Sequence, residues 1–325
     1  MTGAAGFIGS HVVEALVAIG HDVVGLDCFT DHYPVEAKRA NAAAVAALGV
    51  ETRALDLRTD DLRDVVADVD VVLHLAGRPG LGSEDLAAYL LDNTVATERL
   101  VNAVEEVNAG LHLFVNVATS SVYGRYATAD ETAVPAPVSA YGISKLAAEH
   151  VVRRAATLRG LAACSLRPFS VYGPRERPEK LLPRLLAAAY GGPPFPLFDG
   201  SEAHRRSYTY VGDVAAAIVS TIAHRDRCMG AVCNIGHPES HATAELIELV
   251  TSLTGRSVPC IAAPARTGDL LETKAVIDTA RRLLDYAPKV SIREGVLLQA
   301  EWFAQNMADA VAPEGHSDRD RRVSA

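Results

Sequence analysis

A tyrosine and a lysine stand four residues apart in the stretch AYGISK, as Tyr141 and Lys145. Residues at this spacing lie on one face of a helix. A free phenol has a pKa of about 10, so a tyrosine base near neutral pH needs a shift of roughly three units, or about 4 kcal/mol. A neighbouring ammonium group favours the phenolate. The pair is therefore suited to taking a proton from a hydroxyl, although a packing tyrosine beside a solvated lysine has the same spacing.

Three glycines open the chain in MTGAAGFIGSH, as Gly3, Gly6 and Gly9. Glycines permit a tight turn and let the backbone approach a pyrophosphate, whose charge then faces the N-terminus of the following helix. Alone, this spacing fits an ordinary turn as well. Asp27 ends the next apolar run, where a carboxylate can accept both ribose hydroxyls of an adenosine and repels a 2′-phosphate. The sequence therefore favours NAD over NADP, and an oxidised nicotinamide would further favour a tyrosine phenolate.

Two more apolar runs end in residues suited to a nucleotide. Asp56 and Leu57 follow one run, where a side chain can reach the edge of an adenine, although Asp56 could instead cap a helix. The next run ends in HLAG, residues 74–77, whose small residues allow close approach. The predicted cofactor-binding residues are Gly3, Gly6, Phe7, Ile8, Gly9, Asp27, Asp56, Leu57, Leu75, Ala76, Tyr141 and Lys145.

Short apolar runs that alternate with helical periodicity must position these residues. The predicted strands are His21–Asp27, Val50–Leu55, Asp70–Ala76, Leu111–Ala118 and Leu161–Arg167. This alternation indicates an α/β fold with a doubly wound parallel sheet, in which ligands bind beyond the carboxyl ends of the strands. After Arg167, prolines and glycines become frequent. We expect a cofactor domain over residues 1–167, rejoined by about 208–228, a smaller C-terminal substrate-binding region over 168–308, and a disordered tail over 309–325.

Composition narrows the functional class. The chain has 325 residues, of which 49% are hydrophobic and 22% charged, and a formal net charge of -9. Negative charge argues against nucleic acid or an anionic membrane as the main partner. The 5 cysteines are scattered and form no ligand cluster, so we expect no metal site. Without a signal peptide or a long apolar run, we expect a cytoplasmic protein.

Taken together, the motifs resemble the extended short-chain dehydrogenase/reductase family, the NAD-dependent epimerases and dehydratases of nucleotide sugars. The resemblance covers the chain to about Phe303 and rests on TGAAGFIGSH, LDCFTDHY, HLAG, TSSVYG, YGISK, LRPFSVYGPRERP, RRSYTYVGDV and RTGDLLET. It implies a Rossmann-type sheet, a tightly held NAD, and a hexose bound through its nucleoside diphosphate. It also implies a catalytic set of Thr119, Tyr141 and Lys145, in which Thr119 holds the hydroxyl that Tyr141 deprotonates.

The two residues after Thr119 discriminate among the family's reactions. Family dehydratases resemble Thr-Asp-Glu at this point and UDP-glucuronate decarboxylases resemble Thr-Ser-Glu, whereas this chain has Ser120 and Ser121. Without carboxylates there is no evident general acid for elimination, so 4-epimerisation through a 4-keto sugar is the simplest chemistry that remains.

The segment FSVYGPRERP resembles that of UDP-glucuronate 4-epimerases, in which a hydroxyl and an arginine hold the sugar's C6 carboxylate. Here these residues are Ser170 and Arg177. A guanidinium binds a carboxylate through two parallel hydrogen bonds, and a firm grip hinders decarboxylation of the 4-keto intermediate, a β-keto acid. A surface arginine is the alternative for Arg177. We expect conversion of UDP-glucuronate to UDP-galacturonate.

Further substrate contacts are expected by resemblance. Arg206, Arg266 and Asp269 match positions that hold the diphosphate and the uridine ribose, and Arg78 lies near the sugar. Arg266 departs from the glucuronate branch and favours a neutral UDP-hexose. A UDP-glucose/UDP-galactose-type epimerase, a UDP-glucuronate decarboxylase and a non-catalytic NAD-binding regulator therefore stay open. A homodimer is implied through the helices Leu86–Val107 and Tyr141–Leu158.

The opening turn also poses a structural question. A dinucleotide turn follows a buried strand in this fold, and here only Met1 precedes its leading Thr2. The central strand of the sheet is therefore expected to be missing, which would leave its two neighbours with unpaired edges. We expect the natural chain to extend upstream by a strand.

Overall fold

The computed structural model describes residues 1–80, 83–265 and 271–311. The strands are β1 (Gly25–Asp27), β2 (Thr52–Ala54), β3 (Val71–His74), β4 (Leu113–Val117), β5 (Tyr126–Ala127), β6 (Ala163–Pro168), β7 (Val171–Tyr172), β8 (Phe195–Phe198), β9 (Arg205–Arg206), β10 (Thr209–Tyr210), β11 (Val232–Ile235), β12 (His241–Ala242), β13 (Cys260–Ala263) and β14 (Glu272–Thr273). The α-helices are α1 (Phe7–Ala18), α2 (Val35–Ala46), α3 (Arg63–Val66), α4 (Leu86–Tyr89), α5 (Ala96–Val107), α6 (Ala140–Arg159), α7 (Leu181–Ala189), α8 (Val211–Ala223), α9 (Arg225–Cys228), α10 (Thr243–Thr254), α11 (Asp278–Leu284), α12 (Ile292–Asn306) and α13 (Ala308–Val311). A π-helix spans Leu90–Val95, and 3-10 helices span Ser120–Tyr123 and Ser201–Ala203.

The predicted parallel sheet is confirmed. Strands β11, β6, β4 and β3 pair in that order, and β1 pairs with β2, all in parallel. Each of the five predicted strands is present but shorter than its apolar run; β1 occupies only the end of its run, and β6 begins two residues later than predicted and extends to Pro168. Strand β11 adds to the sheet beside β6, so the chain returns to the cofactor half after its first excursion.

Met1 and Thr2 lie where the central strand was expected to be missing. Thr2 forms parallel bridges to Leu26 in β1 and to His74 in β3, and so joins the two parts of the sheet. The Thr2 N–H donates to Leu73 O (3.0 Å), and the Leu26 N–H donates to Met1 O (2.8 Å). Two residues thus bridge both neighbouring edges at the carboxyl end of the sheet, next to the glycine turn. An upstream strand stays a prediction.

Helices cover both faces of the sheet, as the doubly wound arrangement requires. One core joins α1, α8 and α11 to the sheet through residues such as Leu16, Leu113 and Ile218. A second core joins α3, α5 and α6 to the other face, through residues such as Leu100 and Val152. The two layers fix α1 and α6, which carry the glycine turn and the Tyr141–Lys145 pair.

A third core lies among α7, α10 and α12, around Leu185, Leu246 and Phe303. It is built from residues after the proline-rich stretch, in the region expected to bind the substrate. A four-stranded sheet, β12–β9–β14–β5, and the parallel pair β13–β8 flank it. The division into domains at residue 167 stays a prediction. Most of the predicted tail, residues 312–325, lies outside the described residues.

Candidate active site

A cavity of about 850 Å³ follows the carboxyl ends of the sheet strands and extends toward α7. Every predicted site residue within the described part of the chain lines it, from Gly3 in the opening turn to Arg206 in β9. Arg266 and Asp269 lie outside the described residues. The structure therefore brings together the residues expected to bind a cofactor, a sugar and a diphosphate, which the sequence spreads over about 200 positions.

The opening turn has the shape of a pyrophosphate cradle. Gly3 adopts a φ of +70° and accepts a hydrogen bond from the Gly6 N–H (3.0 Å). A Cβ on Gly9 would lie 1.9 Å from Gly3 O, and one on Gly3 would lie 2.8 Å from Ala76 N. Only glycine fits at these two positions. Helix α1 begins directly after Gly6 with no side-chain cap, so its first N–H groups face the cavity.

Asp27 ends β1 with a buried carboxylate at the cavity wall. It accepts hydrogen bonds from Ala5 N (3.2 Å) and Phe29 N (2.9 Å), which fix its orientation. The ammonium of Lys38 lies 4.0 Å from its Oδ1 and donates to Thr30 Oγ1. Lys38 is buried, lines the cavity and was not predicted, because its place in the middle of α2 carries no signal in the sequence. These groups fit the adenosine ribose of a dinucleotide.

The Asp56 carboxylate is bound by Arg58, with Nη2–Oδ2 at 2.6 Å and Nε–Oδ1 at 2.9 Å. Hydrogen bonding from Arg58 lowers the pKa of Asp56. Asp56 also accepts the Arg58 N–H, so it caps the turn after β2 rather than a helix. Its contact with an adenine stays a prediction.

A chain of hydrogen bonds shapes the loop after β3. The Thr2 hydroxyl lies 2.8 Å from His74 Nδ1 and accepts from the backbone of Leu75 (3.2 Å) and Ala76 (3.1 Å). His74 Nε2 lies 2.8 Å from the Thr97 hydroxyl. Burial lowers the pKa of His74 to about 3, so the ring is neutral. Residue Thr2 therefore supports the cofactor turn and the β3 loop together.

Asn93 also holds this loop and was missed by the sequence interpretation. Its Oδ1 accepts from Arg78 N (2.6 Å), and its Nδ2 donates to Ser144 Oγ (2.9 Å) and Arg78 O (3.2 Å). It lies in the π-helix, whose extra residue per turn directs it toward Gly77. Periodicity predicted one continuous helix here, so the insertion gave no signal.

Arg78 lies against the side of the cavity. Its Nη1 is 3.5 Å from Asp92 Oδ2, and its guanidinium lies over the Tyr89 ring, 5.0 Å from the centroid. Its Nε is buried and has no hydrogen-bond partner among the residues that the structure describes. A buried donor without a partner is costly unless a ligand satisfies it, which fits a substrate contact.

Tyr141 lies at the start of α6, whose N-cap Ser139 accepts from Gly142 N (3.1 Å). Burial raises the pKa of Tyr141, whereas a hydrogen bond from Thr119 and the charge of Arg177 oppose the increase. Desolvation disfavours the phenolate in the protein without its cofactor, so the combined effect expected of a neighbouring ammonium and an oxidised nicotinamide stays a prediction. Thr119 is hydrogen-bonded to the Tyr141 side chain, and its expected contact with the sugar hydroxyl stays a prediction.

Lys145 is buried one turn further along α6, close to Gly77. Burial lowers the pKa of Lys145 to about 8, and the negative charge of Glu149, a further turn along, opposes this shift. Arg167 donates to both Glu149 oxygens, at 2.6 and 2.9 Å, and to the Tyr123 hydroxyl at 2.8 Å. Glu149 was not predicted, although its spacing of four from Lys145 could have indicated it.

Ser170 and Arg177 both line the cavity. Arg177 Nη1 lies 2.7 Å from Glu179 Oε1, and the guanidinium carbon lies 5.9 Å from the Tyr33 ring centroid. Arg177 also lowers the pKa of Tyr141, so its charge acts at the catalytic hydroxyl. The alternative of a surface arginine does not fit, because only 11% of the Arg177 side chain is exposed.

The family model for the NAD-dependent epimerase/dehydratase family matches residues 1–236. The chain belongs to this family. Membership of this NAD-dependent family establishes NAD as the cofactor. The cradle at Gly3 and the carboxylate of Asp27 agree with that assignment.

Similar proteins cover almost the whole length of this epimerase/dehydratase. An uncharacterized UDP-glucose epimerase of Bacillus subtilis is 33% identical over 91% of this chain and 94% of its own. A probable UDP-glucuronate 4-epimerase of Rhizobium meliloti is 30% identical, over 94% of this chain and 96% of its own. The crystal structure of a UDP-glucuronic acid 4-epimerase of Bacillus cereus, in complex with UDP-glucuronic acid and NAD, has a TM-score of 0.88 at 32% identity. It covers 94% of this chain and 98% of that one.

Within the described part of this family member, no helix combines the length and apolar composition needed to cross a bilayer.

Proposed function

We propose that this enzyme catalyses the NAD-dependent 4-epimerisation of a UDP-sugar and that its preferred substrate is UDP-glucuronate, converted to UDP-galacturonate. The observation that carries the proposal is the position of Arg177, whose charge acts on Tyr141 while its side chain lines the same cavity. A cation in the same cavity as the Tyr141 hydroxyl suits a sugar with a carboxylate at C6. The Rhizobium and Bacillus cereus relatives named for UDP-glucuronate support the same substrate.

The residues act on the sugar in a defined order. Tyr141, as phenolate, takes the proton of the C4 hydroxyl, which Thr119 holds beside it, while hydride leaves C4 and the carbon becomes a ketone. NAD, when bound by the glycine turn and Asp27, supplies the hydride acceptor and the positive charge that favours the phenolate. Lys145 stabilises the phenolate from one turn away. After the sugar turns over, C4 regains hydride on the opposite face and Tyr141 returns the proton.

The hydroxyls of Ser120 and Ser121 line the cavity after Thr119. Elimination of water from the 4-keto sugar needs a carboxyl acid beside the ring, and these two positions offer hydroxyls only. The arrangement therefore favours epimerisation over dehydration. Decarboxylation breaks the C5–C6 bond and needs that bond to lie perpendicular to the plane of the C4 ketone. It is hindered if Arg177 and Ser170 hold the C6 carboxylate close to that plane.

Incubation of the NAD-loaded enzyme with UDP-glucuronate tests the proposal, with products separated by chromatography. UDP-galacturonate is the expected product, and CO2 as the main product would contradict the proposal. Epimerisation of a neutral UDP-hexose is the second candidate, favoured by the Bacillus subtilis relative named as a UDP-glucose epimerase and by Arg266. A higher kcat/KM for UDP-glucose than for UDP-glucuronate would establish the second candidate.

We also propose that the enzyme is a homodimer through the α4–α5 and α6 helices. Large apolar side chains on this surface are exposed, among them Leu91 (47%), Ile143 (40%) and Leu158 (70%). Burial of such a patch between two copies is favourable by about 25 cal/mol per Å². Sedimentation at micromolar concentration measures the assembly, and the double variant Leu91→Glu/Ile143→Glu is expected to sediment as a monomer.

A further inference from the structure

Arg175 lies two residues before Arg177 and has a backbone φ of +68°. A residue with a Cβ pays roughly 1–3 kcal/mol for such a conformation, which persists only where the surroundings enforce it. The following turn is tight: the Glu176 N–H donates to Gly173 O and the Lys180 N–H to Arg177 O, each at 3.1 Å. The backbone angle at Arg175 therefore decides where this turn directs Arg177.

The contacts that enforce the conformation all come from α1. Arg175 Nη2 lies 2.6 Å from Glu14 Oε1, and Nη1 donates to Ser10 Oγ at 3.2 Å. His11 Nε2 lies 3.0 Å from the carbonyl oxygen of Pro174. The ion pair is half-buried, with 21% of the Arg175 side chain and 33% of the Glu14 side chain exposed. Three side chains on one face of α1 thus hold two consecutive residues of the loop.

Helix α1 is also the helix that begins at the glycine turn. The N-terminus of α1 therefore lies at the cofactor cradle, and its face with Ser10, His11 and Glu14 holds the loop that carries Arg177. Glu14 lies outside the cavity lining, and so does Arg175. Any effect of this ion pair on substrate binding is therefore indirect, and Arg177 is the first positively charged residue after Arg175 that lines the cavity.

We infer that Glu14 and Arg175 are positioning residues that fix Arg177 relative to the cofactor turn and thereby set the preference for a carboxylated sugar. This inference rests on the proposed function. Loss of the ion pair releases the strained backbone, and Arg177 then spends less time where two hydrogen bonds to a carboxylate are possible. The C4 chemistry at Thr119 and Tyr141 keeps its geometry, so the effect falls on binding of the carboxylate.

The test compares the dissociation constants, KM and kcat of the NAD-loaded enzyme for UDP-glucuronate and UDP-glucose. Glu14→Gln removes the negative charge, and Arg175→Asn removes the positive charge while tolerating a positive φ. For each, Kd and KM for UDP-glucuronate are expected to rise about tenfold, or about 1.4 kcal/mol. Kd for UDP-glucose is expected to stay within about twofold, and any change in kcat is expected to be equal for the two sugars, because Arg177 acts on Tyr141 in both cases. The double variant is expected to match the single ones.

Two further variants separate the ion pair from general effects. Arg175→Lys keeps the charge beside Glu14 and is expected to retain most of the preference. Asp285→Asn is the matched control, because Asp285 has a φ of +52° and an ion pair with Arg227 at 2.8 Å, outside the cavity. It should leave both constants unchanged.

Suppose that the wild type prefers UDP-glucuronate and that the Glu14→Gln and Arg175→Asn variants keep the full preference. This result overturns the inference about the ion pair but leaves the proposed function intact. The same holds if both variants weaken the two ligands equally. A wild type without any preference for the carboxylated sugar overturns the proposed substrate and this inference together.

Discussion

Lys145 and Glu149 lie one helical turn apart on α6, both buried, and Arg167 holds the Glu149 carboxylate through contacts of 2.6 and 2.9 Å. Glu149 raises the pKa of Lys145 against the larger effect of burial, which lowers it to about 8. The buried ammonium of Lys145, one turn from the proposed base Tyr141, is therefore charged at neutral pH partly because of a carboxylate that does not line the cavity. Tyr141, Lys145 and Glu149 therefore form a row of three residues on α6, each four positions after the last.

Substitution of Glu149 is expected to shift the alkaline limb of the pH profile. Lys145 stabilises the Tyr141 phenolate only as an ammonium, so activity falls as the pH rises through its pKa of about 8. Glu149→Gln removes the charge that favours the ammonium, and the midpoint of kcat against pH is expected to move to lower pH. Arg167→Lys keeps the Glu149 charge and is the control. An unchanged midpoint in Glu149→Gln would show that this carboxylate is structural only.

Loss of the Tyr141 hydroxyl is expected to abolish turnover while binding persists. A general base contributes about 10²–10⁴-fold to the rate, so Tyr141→Phe should lower kcat by at least about 10²-fold. The dissociation constant of the UDP-sugar and the NAD content should remain close to those of the wild type. Tyr126→Phe is the control, since Tyr126 is exposed and lies outside the cavity. Undiminished turnover of Tyr141→Phe would remove this residue from the proposed mechanism.

The fold was predictable because its sheet is parallel and covered on both faces. Strands such as β4, in which all five residues are buried, form continuous apolar runs. The fold then brings the residues that follow these runs, such as Asp27 and Thr119, to one edge of the sheet. Candidate site residues at the strand ends can therefore be predicted from the sequence.

Residues that act through tertiary contacts were not predictable. Asn93 reaches the loop after β3 only because a π-helix interrupts the expected helix at that point. Arg167 finds Glu149 across 18 positions, through the packing of α6 on β6. The raised pKa of Tyr141 likewise follows from burial, which the YGISK motif does not encode.

The predicted role of Arg177 can be measured through the choice of substrate. A hydrogen bond to a charged group contributes about 1.5–3 kcal/mol, so Arg177→Leu should lower kcat/KM for UDP-glucuronate by roughly 10–150-fold. The value for UDP-glucose should change by only a few-fold. Arg205→Gln is the matched control, because Arg205 pairs with Glu245 and lies outside the cavity. An equal loss for both sugars would assign Arg177 to a part that they share.

Glu176 is the next residue to Arg177, and its carboxyl group accepts from Gln299 Nε2 at 2.7 Å. Burial raises the pKa of Glu176 to about 8, while the charges of Lys180 and Arg177 oppose the shift and that of Glu179 adds to it. Gln299 Oε1 is also buried, and in the described part of the chain no group donates to it. A protonated Glu176 can donate to that oxygen, which would complete a pair of hydrogen bonds between the turn and α12.

A proton on Glu176 makes stability depend on pH with a definite sign. The ordinary pKa of a glutamate is about 4.5, so between pH 4.5 and 8 the folded chain keeps a proton that the unfolded chain has lost. The free energy of unfolding contributed by this group therefore falls as the pH rises through that window. Glu176→Gln keeps a donor for Gln299 and cannot ionise.

The melting temperature of Glu176→Gln relative to the wild type should consequently increase from pH 5 to pH 8. Thermal unfolding at several pH values measures this difference, in which the titrations of groups that do not interact with Glu176 cancel. Glu36→Gln is the control, because Glu36 is exposed and its charge is not among those that shift the pKa of Glu176, so its difference from the wild type should not rise across the same window. A constant difference between Glu176→Gln and the wild type would mean that Glu176 is ionised throughout, and that Gln299 Oε1 has no donor in the folded protein.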